Sequence, residues 1–122
     1  MHPRLRALAA LRLADPDSKV QATRALAASD DLEGLGGGPV RAQGDGEGVP
    51  GRPDRPERVS ATAVPKRSPF TTEGRAALVH SICHIEFNAI NLALDALWRY
   101  EGMPADNYRD SLRVADEEAL HF

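Results

Sequence analysis

Apolar positions recur at helical spacing in four stretches of this chain. Residues 4–14 (RLRALAALRLA) are rich in strong helix formers. Asp15-Pro16 breaks that run. Asp17 or Ser18 is then placed to cap a second helix reaching about Ala28, with Val20, Thr23, Leu26 and Ala27 on one side. No side chain of chemical interest stands out in these two pieces, and they read as an N-terminal structural cap on a helical bundle.

A longer helix is expected after Pro69, capped by Thr71 or Thr72 and running to about Tyr100, a length of roughly 43 Å. Gly102 is placed to end it. Pro104 favours a restart, with Asp106 in the first turn of a helix that continues toward Phe122. A connection of about four residues makes these two helices antiparallel neighbours. The expected fold is therefore all-α: an antiparallel helical hairpin (residues 71–122), preceded by an N-terminal helical segment (1–29) and a flexible Gly/Pro-rich linker with an extended arm (30–70).

Composition supports that division. Eight of the ten glycines lie between Gly34 and Gly51, and six of the nine prolines between Pro39 and Pro69. Gly36-Gly37-Gly38 gives flexibility and Arg52-Pro53-Asp54-Arg55-Pro56 gives extension. No Gly-Lys-Ser/Thr follows the glycines, which argues against a phosphate loop. Residues 59–70 read as an arm able to lie along a bundle.

Charge is split unevenly. Residues 1–68 hold eleven Lys+Arg and nine Asp+Glu, whereas residues 69–122 hold four and nine. An acidic helical half argues against a nucleic-acid partner. One cysteine, Cys83, allows no internal disulfide and suits a reducing compartment. Arg12 interrupts the only N-terminal run resembling a leader. No apolar stretch reads as long enough to span a bilayer. The expectation is a cytoplasmic chain without a membrane partner.

Candidate chemistry centres on Glu86. Its stripe reads Val79, Ile82, Cys83, Glu86, Ala89, Ile90, Ala93, Leu97, so a lone carboxylate sits on an apolar face where partner helices should pack. A buried carboxylate is costly unless paired, protonated or metal-bound. Taken alone, a salt bridge or a protonated Glu would satisfy it. The next helix adds Glu118-Ala119-Leu120-His121, whose Glu and His share a face at i, i+3. Glu86, Glu118 and His121 together offer carboxylate oxygens and an imidazole, a donor set suited to iron, manganese or zinc. A carboxylate from one helix and a Glu-x-x-His from its neighbour form half the ligand set of a di-metal helix bundle.

Other candidates are weaker. Glu117 reaches His121 at i+4 but lies with Asp110 and Arg113 on the polar side, as a solvated ion pair would. His80 and His84 share a face at i, i+4 without a third strong ligand for zinc. His84 or Asn91 better suits a hydrogen bond supporting a ligand, or a polar helix interface. Cys83 reads as packing, Trp98 and Tyr100 as packing of the helix connection, and Asp95 with Arg99 as a surface pair.

The run AALVHSICHIEFNAINLALD (Ala76–Asp95), the later WRYEGMP and NYRDSLRVADEEALHF, and the upstream GRPDRPERV closely resemble an uncharacterised bacterial ferritin-like family, domain of unknown function 455. The combination of His-Ile-Glu-Phe-Asn-Ala-Ile with Glu-Glu-Ala-x-His-Phe carries the resemblance, strongest over residues 50–122. It implies a ferritin-like half-bundle with a di-metal carboxylate site, Glu86 as ligand from the first helix and Glu118 and His121 from the second. The implied cofactor is iron, or manganese, and the implied activity is that of a di-iron oxidase or hydroxylase using O₂. This stretch alone would hold half such a site. Its expected completion is a second copy in a homodimer or a missing C-terminal half. A helical interaction module without catalysis is the competing expectation. The substrate is not legible.

Overall fold

A computed structural model describes residues 2–29, 32, 49–54 and 67–122. The expectations for the remainder of the linker and arm lie outside the described residues. Four helices make up the structure: α1 (Pro3–Arg12), α2 (Pro16–Ala27), α3 (Thr72–Arg99) and α4 (Ala105–His121). The chain is all-α among the described residues, as the apolar spacing predicts.

Each helix starts where local chemistry allows. Asp15, rather than Asp17 or Ser18, caps α2: its carboxylate accepts from the Ser18 N–H at 2.9 Å. Pro16 becomes the first helical residue, where its missing N–H costs nothing. The same dipeptide that ends one helix thus begins the next. Thr71 caps α3, accepting from the Gly74 N–H at 2.9 Å. α3 stops at Arg99, and the chain turns through Gly102 at φ 69°, a left-handed conformation that favours glycine. Pro104 then precedes α4.

α3 and α4 pack against each other, α1 against α3, α2 against α4, and α1 against α2, closing a ring around one core. Ile90, Leu94 and Leu97 of α3 are fully buried, facing Leu8 and Leu11 of α1, Leu26 of α2 and Tyr108 and Leu112 of α4. Burying each such aliphatic side chain stabilises the fold by about 1.5–3 kcal/mol. The two N-terminal helices are therefore walls of the core, not only a cap over its end.

Arg4 and Lys19 are buried completely, although nothing in their helices singled them out. The Arg4 guanidinium donates from Nε to the Leu97 carbonyl at 3.1 Å and from Nη2 to those of Trp98 at 3.0 Å and Tyr100 at 2.5 Å. It thereby satisfies the carbonyls that the end of α3 leaves without helical partners. It also stacks 4.7 Å from the Tyr108 ring centroid. Tyr108 donates its hydroxyl to the Tyr100 carbonyl at 2.6 Å. Packing of the connection thus falls to Trp98 and Tyr108. The Tyr100 side chain, expected to pack there, is 57% exposed, and only its carbonyl is used.

Part of the linker is bound rather than free. In residues 49–54, the Gly51 N–H donates to the Leu11 carbonyl at 2.7 Å, and the Gly51 carbonyl accepts from Lys19 Nζ at 2.7 Å. A Cβ at Gly51 would overlap the Arg12 and Leu13 carbonyls, so only glycine permits this close approach.

α3 has 28 residues and α4 has 17, about 42 Å against 26 Å. α4 therefore covers only the C-terminal part of α3. Val79 and Ile82, expected to face partner helices, are 60% and 51% exposed. α3 also corrects the reading that no stretch is long enough for a bilayer. Thr72–Arg99 holds an 18-residue window of mean hydropathy 1.2, sufficient by length and composition, of which 28% is buried inside the fold. Its C-terminal half supplies the core.

Arg4→Ala should destabilise the chain by about 3 kcal/mol in urea unfolding, because it orphans buried carbonyls and leaves a void. Arg109→Ala, which breaks an exposed ion pair, should cost less than about 0.5 kcal/mol.

Candidate metal centre

Glu86 lies eleven residues before Leu97 in α3, and Glu118 ten residues after Tyr108 in α4. Both are thus about 15–17 Å along their helices from Leu97 and Tyr108, which flank the connection, and the antiparallel hairpin brings them level. His121, one turn beyond Glu118, lies on the same side. Donor atoms of Glu86, Glu118 and His121 all fall within 4.8 Å of one another. The structure therefore brings together the three residues singled out by spacing.

The surroundings are asymmetric. Glu86 and Glu118 are half-buried, and the His121 side chain is 59% exposed. His121 Nδ1 stands 3.8 Å from Glu118 Oε2. Glu86 Oε2 is buried with no hydrogen-bond partner. Proximity to Glu118, with which it can share a proton, raises the Glu86 pKa; burial adds to the rise, and His121 opposes it. Two carboxylates at such range repel when both are ionised. A shared proton or a cation removes that repulsion. No other group of three such ligands occurs among the described residues.

The donor set fits a divalent cation. Donors sharing one ion at about 2.1 Å lie roughly 3–4 Å apart, and the three donors here lie within 4.8 Å of one another. The orphaned Glu86 oxygen supplies a lone pair that the protein does not satisfy. None of three surface clefts on the described residues is lined by this trio.

The remaining candidates sort themselves by partner. His84 Nε2 lies 3.1 Å from Asn88 Nδ2, and no third ligand joins it with His80. Asn91 is 3% exposed and accepts from Lys19 Nζ at 2.5 Å, so it serves a polar helix interface. Asp95 pairs with Arg99 at 2.8 Å, and Asp110 with Arg113 at 3.5 Å. Cys83 is half-buried and unbonded to another cysteine. Lys19 was missed because a lysine in an amphipathic helix normally points to solvent. Its only sequence signal is its place one turn before Thr23 and two before Leu26, on the apolar side.

The model of the family described as protein of unknown function (DUF455) matches residues 12–122. The chain belongs to this family. An uncharacterised protein of Haemophilus influenzae is 51% identical to this DUF455 member over 79 residues, covering 57% of the chain and 27% of the relative. The match thus spans little more than a quarter of that relative's length. No solved structure matches the chain.

The raised Glu86 pKa makes a signed prediction. Between the unfolded value near 4.5 and the higher folded value, the folded chain binds the extra proton, so its stability falls as pH rises through that window. Metal-free Glu86→Gln should therefore melt above the parent chain at pH 7. That advantage should shrink on acidification below pH about 4, where both states of the parent are protonated.

Proposed function

We propose that the chain is the metal-binding portion of a ferritin-like carboxylate protein, with Glu86, Glu118 and His121 as ligands to iron or manganese. The observation that supports this is the buried, unpartnered Glu86 oxygen beside a second carboxylate and an imidazole. Bound iron would supply one-electron redox chemistry and open positions for O₂. The chain's own contribution is to hold three donors level across a hairpin whose connection is clamped by Arg4. Glu118 would offer the ion a carboxylate oxygen beside His121, whose Nδ1 stands 3.8 Å from Glu118 Oε2. A complete enzyme of this kind would be an O₂-dependent oxidase or hydroxylase, and this stretch alone carries half its ligands.

A second reading has its own observation. Leu78, Ile82, Ile85 and Leu92 are 51%, 51%, 64% and 72% exposed, and they follow one side of α3 at spacings of three, four and seven. That stripe adjoins Glu86. An uncovered apolar stripe beside half a ligand set suits completion by two further helices, supplied by a second copy with two-fold symmetry or by a C-terminal half. In this reading the chain is a helical interaction module, and metal has no part in its assembly.

Titration of the metal-free chain with Mn(II), followed by electron paramagnetic resonance, discriminates. Saturable binding that weakens at least ten-fold in both Glu86→Ala and His121→Ala supports the metal reading. A stable dimer in sedimentation that binds no Mn(II) supports the interaction module and rejects the metal site.

A further inference from the structure

Six positions on the outer side of α3 repeat every 3.5 residues: Leu78, Ile82, Ile85, Ala89, Leu92 and Ala96, at alternating steps of four and three. A ridge so spaced keeps to one narrow face of the helix over about 27 Å. It is the seam on which another helix packs lengthwise, at about 20°. None of the described helices covers it, and its four large side chains stand exposed while the two alanines are half-buried. Ile90, Leu94 and Leu97 take the opposite side of α3 into the core.

The ridge is complementary to itself. Turned end for end about residue 87, α3 sets Leu78 opposite Ala96, Ile82 opposite Leu92 and Ile85 opposite Ala89. No layer then pairs alanine with alanine, and each alanine receives a large side chain. A parallel pairing would set Ala89 on Ala89 and Ala96 on Ala96, leaving voids. Sliding the antiparallel pair by one heptad brings Arg75 against Leu92, or Arg99 against Ile82, and buries an arginine in the seam. The register centred on residue 87 leaves both arginines exposed beyond its ends, where Asp95 pairs with Arg99 at 2.8 Å. The acids flanking the seam are Glu86 and Asp95. Asp95 stays clear of its counterpart, while the two copies of Glu86 approach near the axis, where a shared proton relieves their repulsion. Covering eight large side chains, with the alanines and flanks between them, removes roughly 1,000–1,200 Å² in total, which reaches the lower end of specific interfaces.

We propose that a second copy of this chain packs on the ridge, α3 against α3, antiparallel about a two-fold axis at residue 87. The proposal rests on the interaction reading above, commits it to a second copy and requires no bound cation.

Sedimentation of the metal-free full chain should show a dimer. Ile85→Asp, at an exposed position, should raise its dissociation constant at least about a hundred-fold, because it buries two charges at the axis, while circular dichroism stays helical. Register is read by disulfide formation in a Cys83→Ser background. Chains carrying Ile82→Cys, mixed with chains carrying Leu92→Cys and mildly oxidised, should link to each other. Neither should link to itself, since the same residue in the two copies lies about 15 Å apart along the pair, beyond the reach of a disulfide. A dimer that survives Ile85→Asp, or in which Ile82→Cys links to itself, overturns the pairing and leaves the interaction reading standing. A monomer overturns the pairing and removes the second copy from that reading as well.

Discussion

A guanidinium with no exposure to solvent sets the geometry of this chain. Arg4 donates to three carbonyls at the end of α3 and stacks on Tyr108 at the start of α4. Desolvating that charge is costly, and the carbonyl bonds offset the cost only in this arrangement. The end of α3, the 100–104 connection and the first turn of α4 therefore form one unit with α1. Everything further along the hairpin follows from counting residues outward from it. Eleven steps back along α3 and ten forward along α4 bring Glu86 and Glu118 to the same level.

That level is also where α4 ends against the longer α3. The carboxylates consequently lie at the edge of the covered region, with core on one side and exposed apolar α3 on the other. This position accounts for their mixed character. Glu86 Oε2 is buried by the hairpin, while His121 remains open to solvent. The same edge brings the Phe87 and Phe122 rings together, since Phe87 follows Glu86 and Phe122 follows His121.

Much of this was legible in the residues. Caps and breakers located α3 and α4, because Thr71, Gly102 and Pro104 act through local geometry. The meeting of Glu86 with Glu118 and His121 followed from a short connection and equal spacing. Arg4 and Lys19 were not legible, since their partners lie 93 and 72 residues away along the chain. A charged residue in a short helix is read as solvent-facing unless the tertiary partner is known. The role of Asp15 was hidden by its neighbour, because Pro16 ends one helix and opens another with equal ease. The bound segment at 49–54 was hidden within a glycine-rich composition, where Gly51 serves close approach rather than flexibility. The exposure of Val79 and Ile82 depended on the unequal lengths of α3 and α4, which periodicity alone does not specify.

The proposed function requires Glu86, Glu118 and His121 to hold one cation between them. The most direct measurement is anomalous X-ray diffraction from crystals of the chain grown with Mn(II). The account predicts an anomalous peak bonded at about 2.0–2.2 Å to a carboxylate oxygen of Glu86 and Glu118 and to a nitrogen of His121. A peak bound elsewhere, or the Glu86 carboxylate engaged by a protein cation with no manganese beside it, would contradict the account.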